Sequence, residues 1–428
     1  MPYRILSLDG GGTWALLQAL VLQDLYQNRK RADGKPYSGH DILKDFNLVI
    51  ANSGGSMVLA GLIENMSPAE IISLFTDKQQ VGKIFSRLSW PERLFPANLL
   101  FMFKKLQGFG PKYSALRKLE GLRAVLPKYG NASLADLPSY IGKEELKLLI
   151  CSFNASSKRA KFFRSDANSP NRAANVVAKR YPDLIPADPA EQATLAFAVH
   201  ASSNAPLNYF DLPAVLRSTY PDTAQYYWDG ALGGFNNPVA AGIIEAVSYP
   251  DVQMGDLQIL SLGTGTAMMT REENKRQHQQ YVQLGKLTIK GFRGMGYLAN
   301  SLLDLVKTIL YEPPDWSNYI AFVMRYGTPA GHNVQSPDFI RLSPLIYAAE
   351  HQHPRIRETV ERLRKLDMDV TTEAGIDQLR ACFEHWKAGE LPNQPIQAHL
   401  SGSGPVCAIG QATYAEGIGA WRRLTGIS

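Results

Sequence analysis

Residues 46–62 read FNLVIANSGGSMVLAGL, and this stretch decides much of the fold. The apolar, β-branched run from Leu48 to Ala51 leads into a turn of small residues, and a second apolar run follows the turn. This pattern predicts a buried strand, a tight turn and a buried helix, with Ser53 at the apex. Such a turn is a nucleophile elbow, because it lifts one hydroxyl out of the sheet and places it at a helix N-terminus. Ser53 is therefore a candidate nucleophile, and an ordinary glycine-rich turn with a capping serine is the alternative.

A second turn of small residues follows the first predicted strand. Residues 9–13 read DGGGT and lie between a predicted strand at 3–8 and a predicted amphipathic helix. Because glycine has no Cβ, the backbone N–H groups of Gly10, Gly11 and Gly12 can point together at an anion. An enzyme that cleaves esters needs such donors where the carbonyl oxygen becomes an oxyanion. The alternative is a turn that only starts the helix.

An aspartate ends a third apolar run, where residues 226–231 read YYWDGA. Asp229 is ionised at pH 7 and could accept the proton of Ser53 if the fold brings the two side chains together. The alternative is a common turn aspartate. No cluster of His, Cys and Asp has the spacing of metal ligands, so neither a metal nor a cofactor is expected.

The three motifs together resemble those of the patatin-like phospholipases, and the resemblance extends over about residues 3–345. The segment at 201–210 and the SLGTG turn at 261–265 also resemble that family, in the same order. The sequence departs from the family pattern where Trp14 and Ala15 replace a frequent Arg-Gly pair, which leaves no arginine at that loop.

The resemblance implies a Ser–Asp dyad in which Ser53 is the nucleophile and Asp229 is the base. It also implies that the amides of Gly10, Gly11 and Gly12 form the oxyanion hole. The expected activity is hydrolysis of carboxylic esters of phospholipids or related lipids through an acyl-enzyme. A transacylase on the same fold remains an alternative, because the acyl group could pass to an alcohol instead of water.

The alternation of apolar runs and helical patterns predicts an α/β fold, with a mostly parallel central sheet in a three-layer α/β/α arrangement. The predicted strands lie at residues 3–8, 46–51, 146–153, 226–229, 258–262 and 338–342. The candidate site residues follow or end these strands, so we expect them to meet beyond the carboxyl ends of the sheet. The polar residues 155–192 are predicted to be a loop region.

The chain is expected to form a catalytic domain over residues 1–345 and a C-terminal helical region with a tail over 346–428. Residues 82–130 are an insertion in which aromatic side chains alternate with lysines and arginines. This composition suits a lid that contacts a membrane surface, and a helical cap with buried aromatics is the alternative.

Composition limits the compartment and the partners. The 428 residues carry a formal net charge of +6 and only three cysteines, which favours a reducing, cytoplasmic location over a disulfide scaffold. The sequence shows no signal peptide and no apolar run of about 20 residues, so we expect any contact with membranes to be peripheral. The mild charge gives no support for nucleic-acid binding. A cyclic nucleotide activator is a further hypothesis, drawn from bacterial members of the family.

Two other readings compete with the dyad. A Ser–His–Asp hydrolase would need a histidine after Asp229, and no candidate there directly follows a clear strand; His332 is the nearest to the required context. A nucleotide-binding module of the ATPase or sugar-kinase type could use the DGGGT loop. That fold expects a β-hairpin after the loop, whereas here a helix is predicted, and it leaves the Ser53 turn unexplained.

Overall fold

The structure is a computed structural model of the whole chain. It describes residues 2–31, 33–89, 92, 111–166, 168–169, 193–206, 209–217, 224–268, 279, 315–329, 334–347, 352–401 and 404–426.

A mixed, mostly parallel sheet organises the described residues. The strands are β1 (Tyr3–Leu8), β2 (Leu48–Ala51), β3 (Lys147–Asn154), β4 (Arg159–Arg164), β5 (Ala214–Arg217), β6 (Ala224–Asp229), β7 (Leu257–Leu262), β8 (Thr266–Ala267), β9 (Phe339–Leu342), β10 (Leu345–Ile346), β11 (Gln397–Ser401) and β12 (Gly404–Ile409). The main sheet has the order β5-β6-β3-β2-β1-β7-β9, and β4 pairs with the edge of β3 opposite to the one that β2 and β6 share. Two further strand pairs, β8–β10 and β11–β12, lie outside it.

Helices cover both faces of the sheet. The α-helices are α1 (Leu16–Tyr26), α2 (Gly39–Lys44), α3 (Ser53–Ile63), α4 (Pro68–Thr76), α5 (Lys78–Ile84), α6 (Ala115–Val125), α7 (Leu137–Ile141), α8 (Leu195–Ser202), α9 (Val239–Val247), α10 (Asp315–Tyr326), α11 (Pro354–Leu363), α12 (Glu373–Lys387) and α13 (Tyr414–Thr425). Two separate clusters of buried apolar residues, one on each face, make this the three-layer α/β/α arrangement that the sequence predicts. None of the helices in the described ranges combines the length and the apolar character needed to cross a bilayer.

The register brings several strand ends to one level. Leu8 at the end of β1 pairs with Ala51 of β2 on one side and with Leu262 of β7 on the other. Leu262 in turn pairs with Leu342 of β9. Because these strands are parallel, the loops that follow them leave the same edge of the sheet as neighbours. The glycine loop after β1 therefore lies between the Ser53 turn and the Thr264 turn.

All six predicted strands are present, with ends that differ by at most two residues from the predicted ones. Buried, β-branched runs gave them a clear sequence signal. The prediction of a loop over residues 155–192 is wrong for Arg159–Arg164, which form β4. Only Phe163 of this strand is buried, and three of its six residues are charged, so it lacks the apolar run that marks the other strands. β6 is also antiparallel to β3, which the sequence pattern did not indicate.

The residues after 346 pack against the same core as the sheet. Trp421 of α13 stacks on Phe46, which directly precedes β2, with ring centroids 5.9 Å apart. Tyr414 donates a hydrogen bond of 2.9 Å to the buried Asp24 of α1. Besides the predicted helices, this region contains the antiparallel hairpin β11–β12. The predicted lid falls on α5, α6 and residues 93–110 between them, and its aromatic run at 95–103 lies outside the described residues.

Candidate active site

Ser53 is the first residue of α3 and adopts a left-handed backbone conformation, with φ of +48°. Side chains other than glycine rarely occupy this region, and such strain concentrates at functional sites. Asn52 precedes it in extended conformation, so the chain turns sharply between β2 and α3. The Ser53 amide donates a hydrogen bond of 2.8 Å to the hydroxyl of Ser202 in α8, which anchors the turn. The predicted nucleophile elbow therefore has the expected backbone geometry.

The small residues around Ser53 are required by close backbone contacts. A Cβ on Gly54 would lie 2.2 Å from the carbonyl oxygen of Gly12, and one on Gly55 would lie 2.5 Å from that of Leu8. Both distances are far below ordinary contact, so larger residues would push the elbow away from the glycine loop. A Cβ on Gly10 would likewise approach the Cβ of Ser53 at 3.1 Å. The two predicted motifs thus form one tightly packed unit.

Asp229 is the last residue of β6 and is 1% exposed. It pairs with Ser152 of β3, beyond the point where β2 ends opposite Ile150. β6 therefore runs antiparallel along the overhanging end of β3 and delivers Asp229 to the same edge as Ser53. The sequence predicts this convergence, although the physical reason differs from the one expected for parallel strands.

Several donors surround the Asp229 carboxylate. Its Oδ1 accepts hydrogen bonds from the Ala231 amide at 2.9 Å and from the Asn52 side chain at 3.2 Å. Burial raises the pKa of Asp229 above its ordinary value, and the neighbouring Ser53 side chain, the Ala231 and Asn52 donors and the charge of Lys118 oppose that rise. Ser53 and Asp229 thus lie close to each other in a buried environment.

The three amides of the glycine loop are not equivalent. The Gly10 amide donates a hydrogen bond of 2.7 Å to the carbonyl of Asn236. The amides of Gly11 and Gly12 donate to no acceptor in the described part of the chain. Gly11 and Gly12 have φ of +152° and +59°, backbone conformations that glycine adopts without strain. The loop therefore offers two available donors beside Ser53.

Lys118 is a member of this site that the sequence prediction missed. It lies on α6, is 1% exposed and lines the same cavity as Ser53. Its Nζ lies 4.0 Å from the centroid of the Phe210 ring and donates a long hydrogen bond of 3.4 Å to the carbonyl of His200. Burial lowers the pKa of Lys118 well below its ordinary value, and the charge of Asp229 opposes this effect. The sequence feature that could have identified Lys118 is its position on the apolar face of α6.

Residues 367–370 close the cavity from the C-terminal region, and we call this segment the latch. The carbonyl of Met368 accepts hydrogen bonds from the Thr13 amide at 3.0 Å and the Thr13 hydroxyl at 2.9 Å. The Trp14 indole donates to the carbonyl of Asp367 at 3.0 Å. Met368 and Asp369 then line the cavity beside Ser53. The latch thus docks directly on the residues that follow the glycine loop.

Charged groups hold the other side of the latch. Lys112 contacts Asp367 at 2.9 Å and Asp369 at 3.1 Å. The hydroxyls of Tyr209 and Tyr113 donate hydrogen bonds of 2.6 Å to Asp367 and Asp369, respectively. Although burial raises the pKa of Asp367, the bonds from Tyr209 and Lys112 lower it to about 2. The contact between Asp367 and Lys112 is therefore an ion pair at neutral pH.

The cavity beside Ser53 is small in this conformation. Its volume is about 20 Å³, which is close to the space that one water molecule needs. Its apolar walls include Met57, Phe85, Phe210 and Met368. An acyl chain requires more room, so substrate entry requires these walls to move.

The described residues do not favour a Ser–His–Asp triad or a metal site. No described histidine is among the hydrogen-bond partners of Ser53 or Asp229, and His332 lies outside the described residues. His200 is buried near Lys118, and burial lowers its pKa well below the ordinary value. Among the described residues, no group of three His, Cys, Asp or Glu side chains could hold a metal ion.

The chain is similar to proteins of known name and structure. A cGAMP-activated phospholipase from Pseudomonas aeruginosa (strain BWHPSA011 / Pa011) is 28% identical over 164 residues, which are 38% of this chain and 40% of that protein. The matched segment thus spans about two fifths of the relative's length. The crystal structure of VipD from Legionella pneumophila aligns with 90% of this chain and 67% of that chain, at 13% identity and a TM-score of 0.33.

The family comparison covers the part of the chain that carries the site. A model described as patatin-like phospholipase matches residues 6–243, which include the glycine loop, Ser53 and Asp229. This span is more than half of the 428 residues. The chain therefore belongs to the patatin-like phospholipases, a family of lipid acyl hydrolases.

Proposed function

We propose that this protein is a serine hydrolase of phospholipids or related lipid esters, with Ser53 as nucleophile and Asp229 as general base. The observation that carries this proposal is that a strained serine at a helix N-terminus lies beside a buried carboxylate, close enough to influence its pKa. An aspartate whose pKa is raised toward neutrality is a better base than an exposed one. The apolar walls of the cavity suit the acyl part of such a substrate.

In the first half-reaction, Oγ of Ser53 bonds to the ester carbonyl carbon while its proton passes to Asp229. The carbonyl oxygen becomes an oxyanion, for which we propose the amides of Gly11 and Gly12 as donors. The ester C–O bond then breaks, and Asp229 returns the proton to the leaving alkoxide. The product is an alcohol and an acyl-enzyme on Ser53.

In the second half-reaction, water attacks the acyl-enzyme as Asp229 takes its proton. The oxyanion forms again, the bond to Oγ breaks, and Ser53 recovers its proton from Asp229. The fatty acid is released. This scheme narrows the predicted oxyanion hole from three amides to two, because the amide of Gly10 already donates to Asn236. Gly10 serves the scheme by permitting close packing against Ser53.

The proposal includes peripheral contact with a phospholipid surface, since the site must take a lipid from a membrane. It also includes a cyclic nucleotide activator, for which the name of the Pseudomonas aeruginosa relative is the support. The small cavity is consistent with a resting state that needs a signal before substrate enters.

The test compares the wild type with Ser53→Ala and Asp229→Asn, using fatty-acid release from phosphatidylglycerol–phosphatidylcholine vesicles and hydrolysis of a soluble short-chain ester. Both variants should lose at least about a thousandfold in kcat/KM, as removal of a catalytic nucleophile or base does in serine hydrolases. Ser73→Ala and Asp377→Asn, both outside the site, are the matched controls and should keep activity.

A fluorophosphonate probe with an alkyl chain tests the nucleophile independently of turnover. Mass spectrometry should locate the adduct on Ser53 in the wild type and find none in Ser53→Ala. Full activity in a folded Asp229→Asn variant, or an adduct on another serine, would overturn the assignment. Analysis of products with a lysophospholipid present separates transfer from hydrolysis.

A further inference from the structure

The SLGTG turn at residues 261–265 supplies no group to the proposed reaction, yet it contacts the glycine loop directly. It follows β7, which is the neighbour of β1 on the side opposite to β2. The glycine loop therefore has the Ser53 turn on one side and the Thr264 turn on the other. On the Thr264 side lies a second cavity of about 440 Å³, which we call the Arg341 cavity because this buried arginine is part of its lining.

Thr264 holds the first peptide of the glycine loop. It is 9% exposed, and its hydroxyl donates a hydrogen bond of 2.7 Å to the carbonyl of Gly10. That carbonyl belongs to the same peptide unit as the Gly11 amide, and in a planar trans peptide the C=O and N–H bonds point in opposite directions. The Gly11 N–H therefore points away from Thr264, toward the side of the loop on which Ser53 lies.

The peptide between Gly10 and Gly11 needs such an anchor because both residues are glycines. Glycine adopts positive and negative φ about equally well, so a peptide between two glycines can rotate and reverse its C=O and N–H groups. The next peptide is held locally, since the Gly11 carbonyl accepts a hydrogen bond of 3.1 Å from the Trp14 amide. Within the described chain, the Gly10 carbonyl has the Thr264 hydroxyl as its one donor. The direction of the Gly11 N–H thus depends on a tertiary contact.

Backbone contacts fix the Thr264 turn itself. The amide before Thr264, that of Gly263, donates to the carbonyl of Leu342 at 2.8 Å. The amide after it, that of Gly265, donates to Oγ of Ser343 at 3.1 Å. Because both neighbours of Thr264 are bound to β9 and the residue after it, the hydroxyl has a fixed place from which to hold the loop.

Arg341 joins the starts of the two loops. It lies on β9 and is 0% exposed, its Nη2 contacts Asp9 at 2.6 Å, and its Nη1 donates to Ser261 at 2.8 Å. Asp9 directly precedes Gly10, and Ser261 lies in the last turn of sequence before Thr264. One buried cation thus sets the distance between the glycine loop and the residue that anchors it.

We propose that Thr264 is a positioning residue of the oxyanion hole, which acts through the Gly10 carbonyl on the Gly11 amide. This inference rests on the function proposed above for Ser53 and Gly11. The hydroxyl keeps the Gly11 N–H directed at the place where the oxyanion forms, so the donor needs no reorganisation as charge develops. It also polarises the shared peptide unit, because a hydrogen bond to the C=O strengthens the N–H as a donor.

The test compares Thr264→Val, which removes the hydroxyl at nearly constant volume, with Thr264→Ser, which keeps it. On a soluble short-chain ester, Thr264→Val should lower kcat about tenfold at unchanged KM, because the weakened interaction is made only in the transition state. Thr264→Ser should restore most of this loss, since the donor to Gly10 remains. Thr76→Val is the matched control, because the Thr76 hydroxyl also donates to a backbone carbonyl, that of Ile72 at 3.1 Å, outside the site. It should leave kcat unchanged.

Two inhibitors separate positioning from a general loss of structure. An alkyl trifluoromethyl ketone adds to Oγ of Ser53 and places an oxyanion in the hole, whereas the ether of the same chain length binds without one. Thr264→Val should weaken the ketone about tenfold and leave the ether unchanged, as expected for a group that serves only the transition state. Thr264→Ala, which removes the hydroxyl and adds no new methyl group, takes the place of Thr264→Val if the latter does not fold.

A loss of kcat and of ketone binding in Thr264→Val that Thr264→Ser restores supports the proposal. Wild-type kcat in a folded Thr264→Val variant, an equally impaired Thr264→Ser variant, or equal weakening of the ketone and the ether would overturn it. Retained activity in Ser53→Ala would instead overturn the proposed function on which this inference rests, so the two failures are distinguishable.

Discussion

The two cavities on either side of the glycine loop differ in almost every physical respect. The Ser53 cavity measures about 20 Å³ and has mostly apolar walls, with the buried Lys118 among its lining. The Arg341 cavity measures about 440 Å³ and has several charged and polar groups in its walls. They share one loop, so the difference comes from what the neighbouring elements supply. Met57 of α3, with Phe85 and Phe210, brings apolar side chains to one, and β9 and the residues just after α11 bring cations to the other.

The two cavities suit two different tasks, proton transfer in the small one and ligand binding in the large one. A small dry cavity strengthens the electrostatic interactions on which proton transfer depends, but it leaves no room for substrate. A large cavity with charged walls has room for a ligand. The latch touches both cavities through adjacent residues, Asp367 on one side and Met368 with Asp369 on the other. The variants below change the Ser53 cavity, its carboxylate or the latch, and they leave the lining of the Arg341 cavity intact as the reference.

Outside the proposed Ser53–Asp229 dyad, the largest effect is expected for Lys118→Met, which makes the Ser53 cavity wholly apolar at this position. The charge of Lys118 lowers the pKa of Asp229, so its loss should raise that pKa further and weaken the site at neutral pH. We expect kcat/KM to fall by about ten- to a hundredfold, or about 1.4–2.8 kcal/mol in barrier. Measured pH profiles should show the acid limb at higher pH than in the wild type.

The same substitution should raise the thermal stability. The folded protein lowers the pKa of Lys118, so burial of this amine costs stability at pH values below its ordinary pKa, and methionine removes that cost. Lys83→Met at the exposed end of α5 is the control and should change neither activity nor melting temperature. A folded Lys118→Met variant with normal activity would show that this lysine only fills space.

The next effect is a gain of activity from Asp369→Asn, which weakens the latch over the Ser53 cavity. The change removes the charge that Lys112 contacts and that the Tyr113 hydroxyl binds. A hydrogen bond to a charged group contributes about 1.5–3 kcal/mol, so the closed conformation should lose about tenfold or more in its population relative to the open one. Hydrolysis of a soluble short-chain ester by the unstimulated enzyme should rise several-fold.

Glu373→Gln is the matched control, because Glu373 pairs with Lys78 on the exposed surface, at 75% and 76% side-chain exposure. Such pairs contribute little, and activity should be unchanged. If Asp369→Asn only lowers activity together with stability, the latch is structural and the closed cavity needs another explanation.

Much of the fold and the centre of the site could be predicted from local sequence. The six strands gave clear apolar runs, and Ser53 and Asp229 stood at strand ends in small-residue turns whose chemistry is local. The latch could not be predicted this way. Its contacts join Met368 to Thr13, which lie 355 positions apart, and nothing in the short polar stretch at 367–369 specifies that partner.

Two missed residues did leave a signal. Lys118 shares the face of α6 that buries Ala115, Leu122 and Val125, so helical spacing places a lysine in the core. Arg341 is the one charged residue of the four-residue strand β9, where every position is buried. A charge at a position that the pattern marks as core indicates a site before the structure is known. The partners of these charges still depend on tertiary packing.

The smallest effect at neutral pH is expected for Asn52→Ala, which removes one donor from the Asp229 carboxylate. The hydrogen bond of 3.2 Å from Asn52 lowers the pKa of Asp229, so its loss raises that pKa. Asp229 must be ionised to act as base, and the acid limb of kcat/KM should therefore move to higher pH. Well above that limb the rate should approach that of the wild type. Asn47→Ala, at the other end of β2, should leave the limb in place, whereas a uniform loss of rate at every pH in Asn52→Ala would instead assign Asn52 to shaping the elbow.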